Sequence, residues 1–177
     1  VFLYREVVER PLRMPSLVPR GRGPTRVPVV LDVEEVGRVL GQLEGVHRLI
    51  GLLLYGSGLR LMECLELRVK DVDLVRLEIR VRRGKGQKDR VTMLPEAAAG
   101  QLGEHLIRVK LMHEKALAAG TGGVVLPGAL ARKYPRADRS WPWQWVFPAR
   151  QTYADPDTGA LRRHHLRGDS DAGGRVR

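Results

Sequence analysis

The stretch YGSGLRLMECLELRVKDVD, Tyr55 to Asp73, opens on a breaker, Gly56-Ser57-Gly58, and then sets one arginine, Arg60, at the head of a short amphipathic segment. Leu61, Met62, Leu65 and Leu67 are its expected apolar side, and Glu63 is an acid one turn after Arg60. Lys70-Asp71-Val72-Asp73 closes the helix and leads into a strand pattern. An arginine at the mouth of a helix, held by glycines and backed by a buried face, is presented rigidly to an anion. Its planar fork suits a phosphate. The plainer alternative is a surface arginine following a turn.

Upstream, Val46, Leu49, Ile50, Leu53 and Leu54 recur at the spacing of a core helix. Before them, Asp32 is placed to cap another helix, with Glu35 at capping-box spacing. Val33, Val36 and Leu40 are that helix's expected buried stripe. Downstream, Leu77, Ile79 and Val81 alternate with Glu78, Arg80 and Arg82, a half-buried strand. Gly84-Lys85-Gly86-Gln87 makes a turn, and Arg90 to Leu94 returns with Val91 and Met93 expected inward. Glycines in this tip, GKGQKDR, let backbone approach a phosphate closely, and Lys85 reaches out from a fixed turn. The spacing is not that of a P-loop.

Pro95 opens a long helix to about Ala119, with Leu102, Leu106, Val109, Ala116 and Leu117 as its stripe. Gly120, Gly122 and Gly123 break it. The following segment holds all three tryptophans, Trp141, Trp143 and Trp145, amid Arg132, Lys133, Arg136, Arg139 and Arg150. Aromatics interleaved with cations suit stacking on unpaired bases. The competing reading, preferred for most of these rings, is a strand whose alternating Trp and Phe147 pack on a core.

Charge narrows the partner. Lys and Arg number 31 against 20 acids in 177 residues, a net charge of +11 and a pI near 10.6. Such a balance points to nucleic acid. Hydrophobic residues make up 43%, enough for a folded domain with a core. The single cysteine, Cys64, rules out an internal disulfide and a cysteine-based metal site, and it reads as a small core residue. No window is apolar enough to span a membrane, and no secretion signal is visible, so a cytosolic protein is expected. No cofactor or metal is expected.

The two motifs taken in order resemble the tyrosine recombinases, the phage-integrase family. Their first active-site segment, G-x-R-x-x-E-x-x-x-L-x-x-x-D, reads here as Gly58, Arg60, Glu63, Leu67 and Asp71, and GKGQKDR resembles their lysine-bearing β-hairpin. The resemblance implies that Arg60 contacts the scissile phosphate and that Lys85 acts as general acid toward the leaving 5′-oxygen. Glu63 and Asp71 would support the site. It implies an α+β fold, a mostly helical catalytic-domain fragment with a small antiparallel sheet, in a prokaryotic cytoplasm.

Leu126-Pro127, Ala129-Leu130, Arg132-Lys133-Tyr134-Pro135 and then Trp143-Gln144-Trp145-Val146-Phe147-Pro148 are similar to the insertion that distinguishes integron integrases. Arg162-Arg163-His164-His165-Leu166 fits the same subfamily. This implies folded single-stranded or duplex recombination sites as DNA partners, self-association on DNA in full-length members, and His164 and His165, with Pro156, contacting extrahelical bases. The candidate DNA contacts are then Arg20, Arg22, Lys88, Arg90, Lys133, Trp143, His164 and His165. A metal site at the adjacent histidines is disfavoured because neighbouring strand side chains face opposite ways.

The expected organisation is a helical remnant of a DNA-clamping domain at 1–12 and a basic, proline-rich linker at 13–28. A partial catalytic domain follows at 29–166, with the insertion at about 120–166, and an aberrant tail at 167–177. Val1 in place of Met reads as a start within a protein, and RGDSDAGGRVR after Leu166 as an altered frame or artificial stop. The family's H-x-L-R-H and late nucleophilic Tyr do not follow, so this chain is not expected to cleave DNA by itself. The alternatives are a non-enzymatic basic DNA-binding module and an RNA-associated structural protein.

Overall fold

Gly45–Ser57 forms the helix at the centre of the structure, because Leu49, Ile50 and Leu53 recur on one face and are buried there. A computed structural model describes residues 30–82, 89–128, 130–156 and 158–167. The elements, in chain order, are α1 (Val33–Gln42), α2 (Gly45–Ser57), α3 (Leu61–Leu65), β1 (Val72–Asp73), β2 (Glu78–Val81) and β3 (Arg90–Met93). After them come α4 (Glu96–Ala118), α5 (Leu130–Lys133), β4 (Pro148–Ala154) and β5 (Leu161–His165). Short 3-10 turns at Val69–Asp71, Ala137–Arg139 and Trp141–Trp143 join them. This is the expected α+β architecture.

The breaker after α2 acts through two glycines. A β-carbon at Gly56 would lie 2.3 Å from Cγ of Pro95, so only glycine lets α2 pass the start of α4. Gly58 caps α2 in the left-handed conformation, φ 62°, which reverses the chain into α3. The core joins α2, α3, the first sheet, α4 and the Val146-Phe147 segment that precedes β4, with Leu53, Cys64, Ile79 and Leu102 fully buried. Cys64 is therefore a core residue, and burial pushes its thiol up to about 12.

β1, β2 and β3 form an antiparallel sheet in that order, and β4 pairs with β5 in a second, two-stranded one. Ile79 and Val81 point into the core as the alternation in β2 requires. The return strand corrects the sequence expectation. Val91 and Met93 are 55% and 67% exposed. Register explains why: Val81 lies opposite Arg90 and Ile79 opposite Thr92. Directly opposed residues share a face, so Arg90 and Thr92 turn inward and Val91 and Met93 turn out.

Three other expectations fail for related reasons. The α1 stripe is at most half-buried, with Val33 75% exposed and Val36 and Leu40 half-buried, because this ten-residue helix packs chiefly on α2. In α3, Leu61 and Met62 are exposed, while Cys64 and Leu65, with the flanking Leu59 and Leu67, carry the burial. One five-residue turn has too little length to bury a full stripe. Leu117 near the end of α4 is also partly exposed, whereas His105 and His113 complete the buried face with Ala98, Leu102, Val109 and Ala116.

The tryptophan segment is a 3-10 turn at Trp141–Trp143, with Pro142 in its first turn, and not a continuous strand. Packing on the core begins at Trp145 and runs through Phe147. Backbone bonds between Val69 and Gln144 and between Val146 and Leu67 hold this segment against the residues that follow α3.

Candidate active site

Arg60 stands at the N-terminus of α3, 59% of its side chain exposed, and Glu63 lies beneath it with only 10% exposed. The carboxylate takes the backbone N–H of Arg60 on Oε2 at 2.9 Å and its Nη1 on Oε1 at 2.9 Å. Arg90, entering from β3, donates Nη1 to Oε1 at 2.9 Å and Nη2 to Oε2 at 2.7 Å. Glu63 thus holds both arginines, one through a paired fork. The Arg90 bonds, helped by those from Arg60, outweigh burial and hold the Glu63 carboxyl down to about 2. It is ionised throughout the physiological range. The same pairing raises the pKa of Arg90.

Asp71, the last residue of the motif, is buried and accepts from Nε of Arg82 at 2.6 Å. Arg82 follows β2, and Arg90 opens β3. The two motif carboxylates therefore grip the two arms of the hairpin that carries GKGQKDR. Thr92 adds a third tie, donating its hydroxyl to the Ser57 carbonyl at 2.8 Å. Lys85 and Lys88 of that sequence, and Arg20 and Arg22 upstream, lie outside the described residues.

Beside Glu63 and Asp71 opens a cleft of about 630 Å³. Its other walls include Arg68, Lys70, Arg82, Trp143, Tyr153, His164 and His165. The sequence-selected Trp143 and both histidines thus share one cavity with the motif acids, while Lys133 sits exposed on α5. Lys70 places Nζ 3.0 Å from the Trp143 ring centroid. Its pKa is lowered, first by burial and then by the neighbouring charge of Arg82.

Arg68 is buried, stacks 3.3 Å from the Trp145 ring and donates to the carbonyls of Trp143, at 2.6 Å, and Val125, at 2.8 Å. Burial lowers its pKa to about 10. Sequence reading passed over Arg68, Lys70 and Arg82. The available signal was three cations inside or just after a motif, facing a segment rich in tryptophan.

The two histidines do not face opposite ways. Their ring centroids are 4.1 Å apart, because His165 ends β5 and its Nδ1 bonds to the Leu166 carbonyl at 2.7 Å. Trp145 packs edge-on against His165 at 5.2 Å. Burial lowers the His165 pKa. Among the described residues no group of acids, histidines and cysteines is arranged to hold a metal ion, and no helix is long and apolar enough to cross a membrane.

The pattern of the phage integrase family matches residues 30–166. An integrase/recombinase of Escherichia coli and one of Pseudomonas aeruginosa are each 50% identical over 166 residues, 94% of this chain and 49% of theirs. The chain thus spans about half the length of the curated relatives it matches. A crystal structure of XerA recombinase aligns with a TM-score of 0.43 and 29% identity, over 60% of this chain and 38% of that one. By the extent of the family pattern, the chain belongs to the phage integrase family.

Proposed function

We propose that this chain carries the phosphate-gripping part of a site-specific DNA recombinase of the integron type. The observation that carries the reading is the Glu63 carboxylate holding the exposed Arg60 at the head of α3 while bonding Arg90 of the hairpin. In the proposed enzyme a tyrosine attacks the scissile phosphorus, a 3′-phosphotyrosyl bond forms, and the bond to the 5′-oxygen breaks. Arg60 stabilises the charge that gathers on the non-bridging oxygens. Lys85 gives the proton to the leaving 5′-oxygen. Glu63 and Asp71 keep the arginine and the lysine hairpin in fixed relation.

The integron assignment rests on the insertion motifs and on where their residues lie. Trp143, His164 and His165 line the cleft that Glu63 and Asp71 also line. A base extruded from a DNA hairpin would enter this cleft while its backbone crosses Arg60. Residues 29–166 act as a partial catalytic domain in this scheme, with 1–12 and 13–28 as clamp remnant and backbone-contacting linker.

Fluorescence anisotropy across a salt titration tests the reading, with a folded bottom-strand cassette-site hairpin set against a scrambled hairpin of equal length. Preference for the true hairpin that persists as salt rises is expected. Equal binding that collapses for both would leave charge alone as the source of affinity and remove the integron assignment.

A further inference from the structure

We infer that Arg90 is a positioning residue for Arg60, acting through Glu63, and not itself a ligand of the DNA backbone. The inference rests on the reading of Arg60 as the phosphate-gripping residue.

Composition and position make Arg90 look like a phosphate contact: it follows the lysine-rich tip of a basic hairpin. Its geometry points elsewhere. Both terminal nitrogens of its guanidinium face Glu63, at 2.9 and 2.7 Å, and Nη2 also lies 3.5 Å from the Gly58 carbonyl. A phosphate could take that edge only by displacing a carboxylate already seated in a fork, in a partly buried place. Arg60 gives Glu63 one terminal nitrogen and leaves more than half of its side chain in solvent.

Glu63 in turn accepts two donors on each oxygen, one from each arginine. Four donors fill a carboxylate's acceptor positions, so its rotation is blocked from both sides. Charge leads the same way. Paired with Glu63 alone, Arg60 would present a nearly neutral couple to a phosphate. With Arg90 added, the trio carries a net positive charge, and Arg60, 59% exposed against 37% for Arg90, is its more accessible cation. Arg90 also comes from a different element than Arg60, so it ties the sheet to α3, much as Arg82 does at Asp71.

A double-mutant cycle on the 177-residue chain, binding a short fluorescein-labelled DNA duplex, tests this. Arg90→Gln is expected to weaken binding roughly threefold to tenfold in the parent and to have no further effect in an Arg60→Ala background. Losses that add, with the salt slope falling by about one more in the double variant, would make Arg90 a phosphate contact and overturn the inference. Arg90→Lys serves where the neutral variant folds poorly: it keeps the charge but cannot form the fork. It is expected to weaken binding only when Arg60 is present, whereas retained affinity would overturn the inference.

A merely structural role is separated by the side-chain ¹⁵N resonances of Arg60. Arg90→Lys is expected to broaden or shift them at a temperature where circular dichroism shows the fold intact, and unchanged resonances would count against positioning. Should Arg60→Ala alone leave binding unchanged, the phosphate role of Arg60 fails, and this inference fails with it. Loss at Arg60 with additive loss at Arg90 would sink only the present one.

Discussion

Glu63 receives four hydrogen bonds from two arginines, and its carboxyl is held down to about 2 from an ordinary 4.5. A folded-state value below the unfolded one means that the unfolded chain takes up the proton first. The stabilisation is therefore fully present above about pH 4.5 and is lost as pH falls toward 2. Glu63→Gln should destabilise the chain by roughly 1.5–3 kcal/mol at pH 7, the range for hydrogen bonds to a charged group. Urea unfolding at several pH values checks this, and the gap between parent and variant should close as pH falls through that window. A gap independent of pH would show that the charge of Glu63 is not what the arginines recognise. The motif spacing exposed Arg60 and Glu63 to sequence reading because both lie within one helical turn. It did not expose Arg90 as their partner, since 27 positions and a change of element separate Arg90 from Glu63.

At the scale of elements, periodicity found what was buried on one side by several neighbours. The stripe of α2 and the alternation of β2 were legible for that reason. Strand β3 was not, because its own sequence, RVTM, alternates just as well in the wrong phase. Pairing with β2 sets the phase, and the ion pair at Glu63 rewards turning Arg90 inward. Helix α4 hid a second feature. His105 and His113 occupy core positions on its buried face and bond through Nε2 to the carbonyls of Val146, at 2.8 Å, and Arg139, at 3.0 Å. These bonds pin the tryptophan segment to α4. Burial lowers both histidine pKa values below the ordinary 6.5. The unfolded chain again binds the proton first, so this stability is present above about pH 6.5 and is lost progressively below it. The urea midpoint should fall between pH 7.5 and 5.5, and His105→Gln, which keeps a donor without the titration, should flatten that fall. An unchanged slope in the variant would remove His105 as its source.

At the scale of the whole molecule, a net charge of +11 favours salt-sensitive attraction to polyanions and says nothing of where one would bind. The structure gathers the candidate contacts. Basic and aromatic residues from the stretch after α3, from the first hairpin and from the tryptophan segment meet around one cleft beside Glu63 and Asp71. In sequence, 75 positions separate Arg68 from Trp143. The buried Arg68 against Trp145, its bond to the Trp143 carbonyl, Lys70 over the Trp143 ring and the backbone bonds at Leu67 and Val69 bring the pieces together. The fold class was therefore readable from periodicity, and the family from two motifs in order. The convergence of the insertion on the arginine segment was not readable, because it depends on a buried cation whose neighbours carry no local pattern.

The most direct test of the central claim is DNA binding by Arg60→Ala across a salt titration, set against Arg48→Ala, which removes an equal and exposed charge from α2. If Glu63 presents Arg60 to a phosphate, Arg60→Ala should weaken binding by roughly tenfold and lower the salt slope by about one, while Arg48→Ala leaves both nearly as they were. Equal, small effects of the two substitutions would mean that Arg60 is one surface charge among many, and would contradict the account.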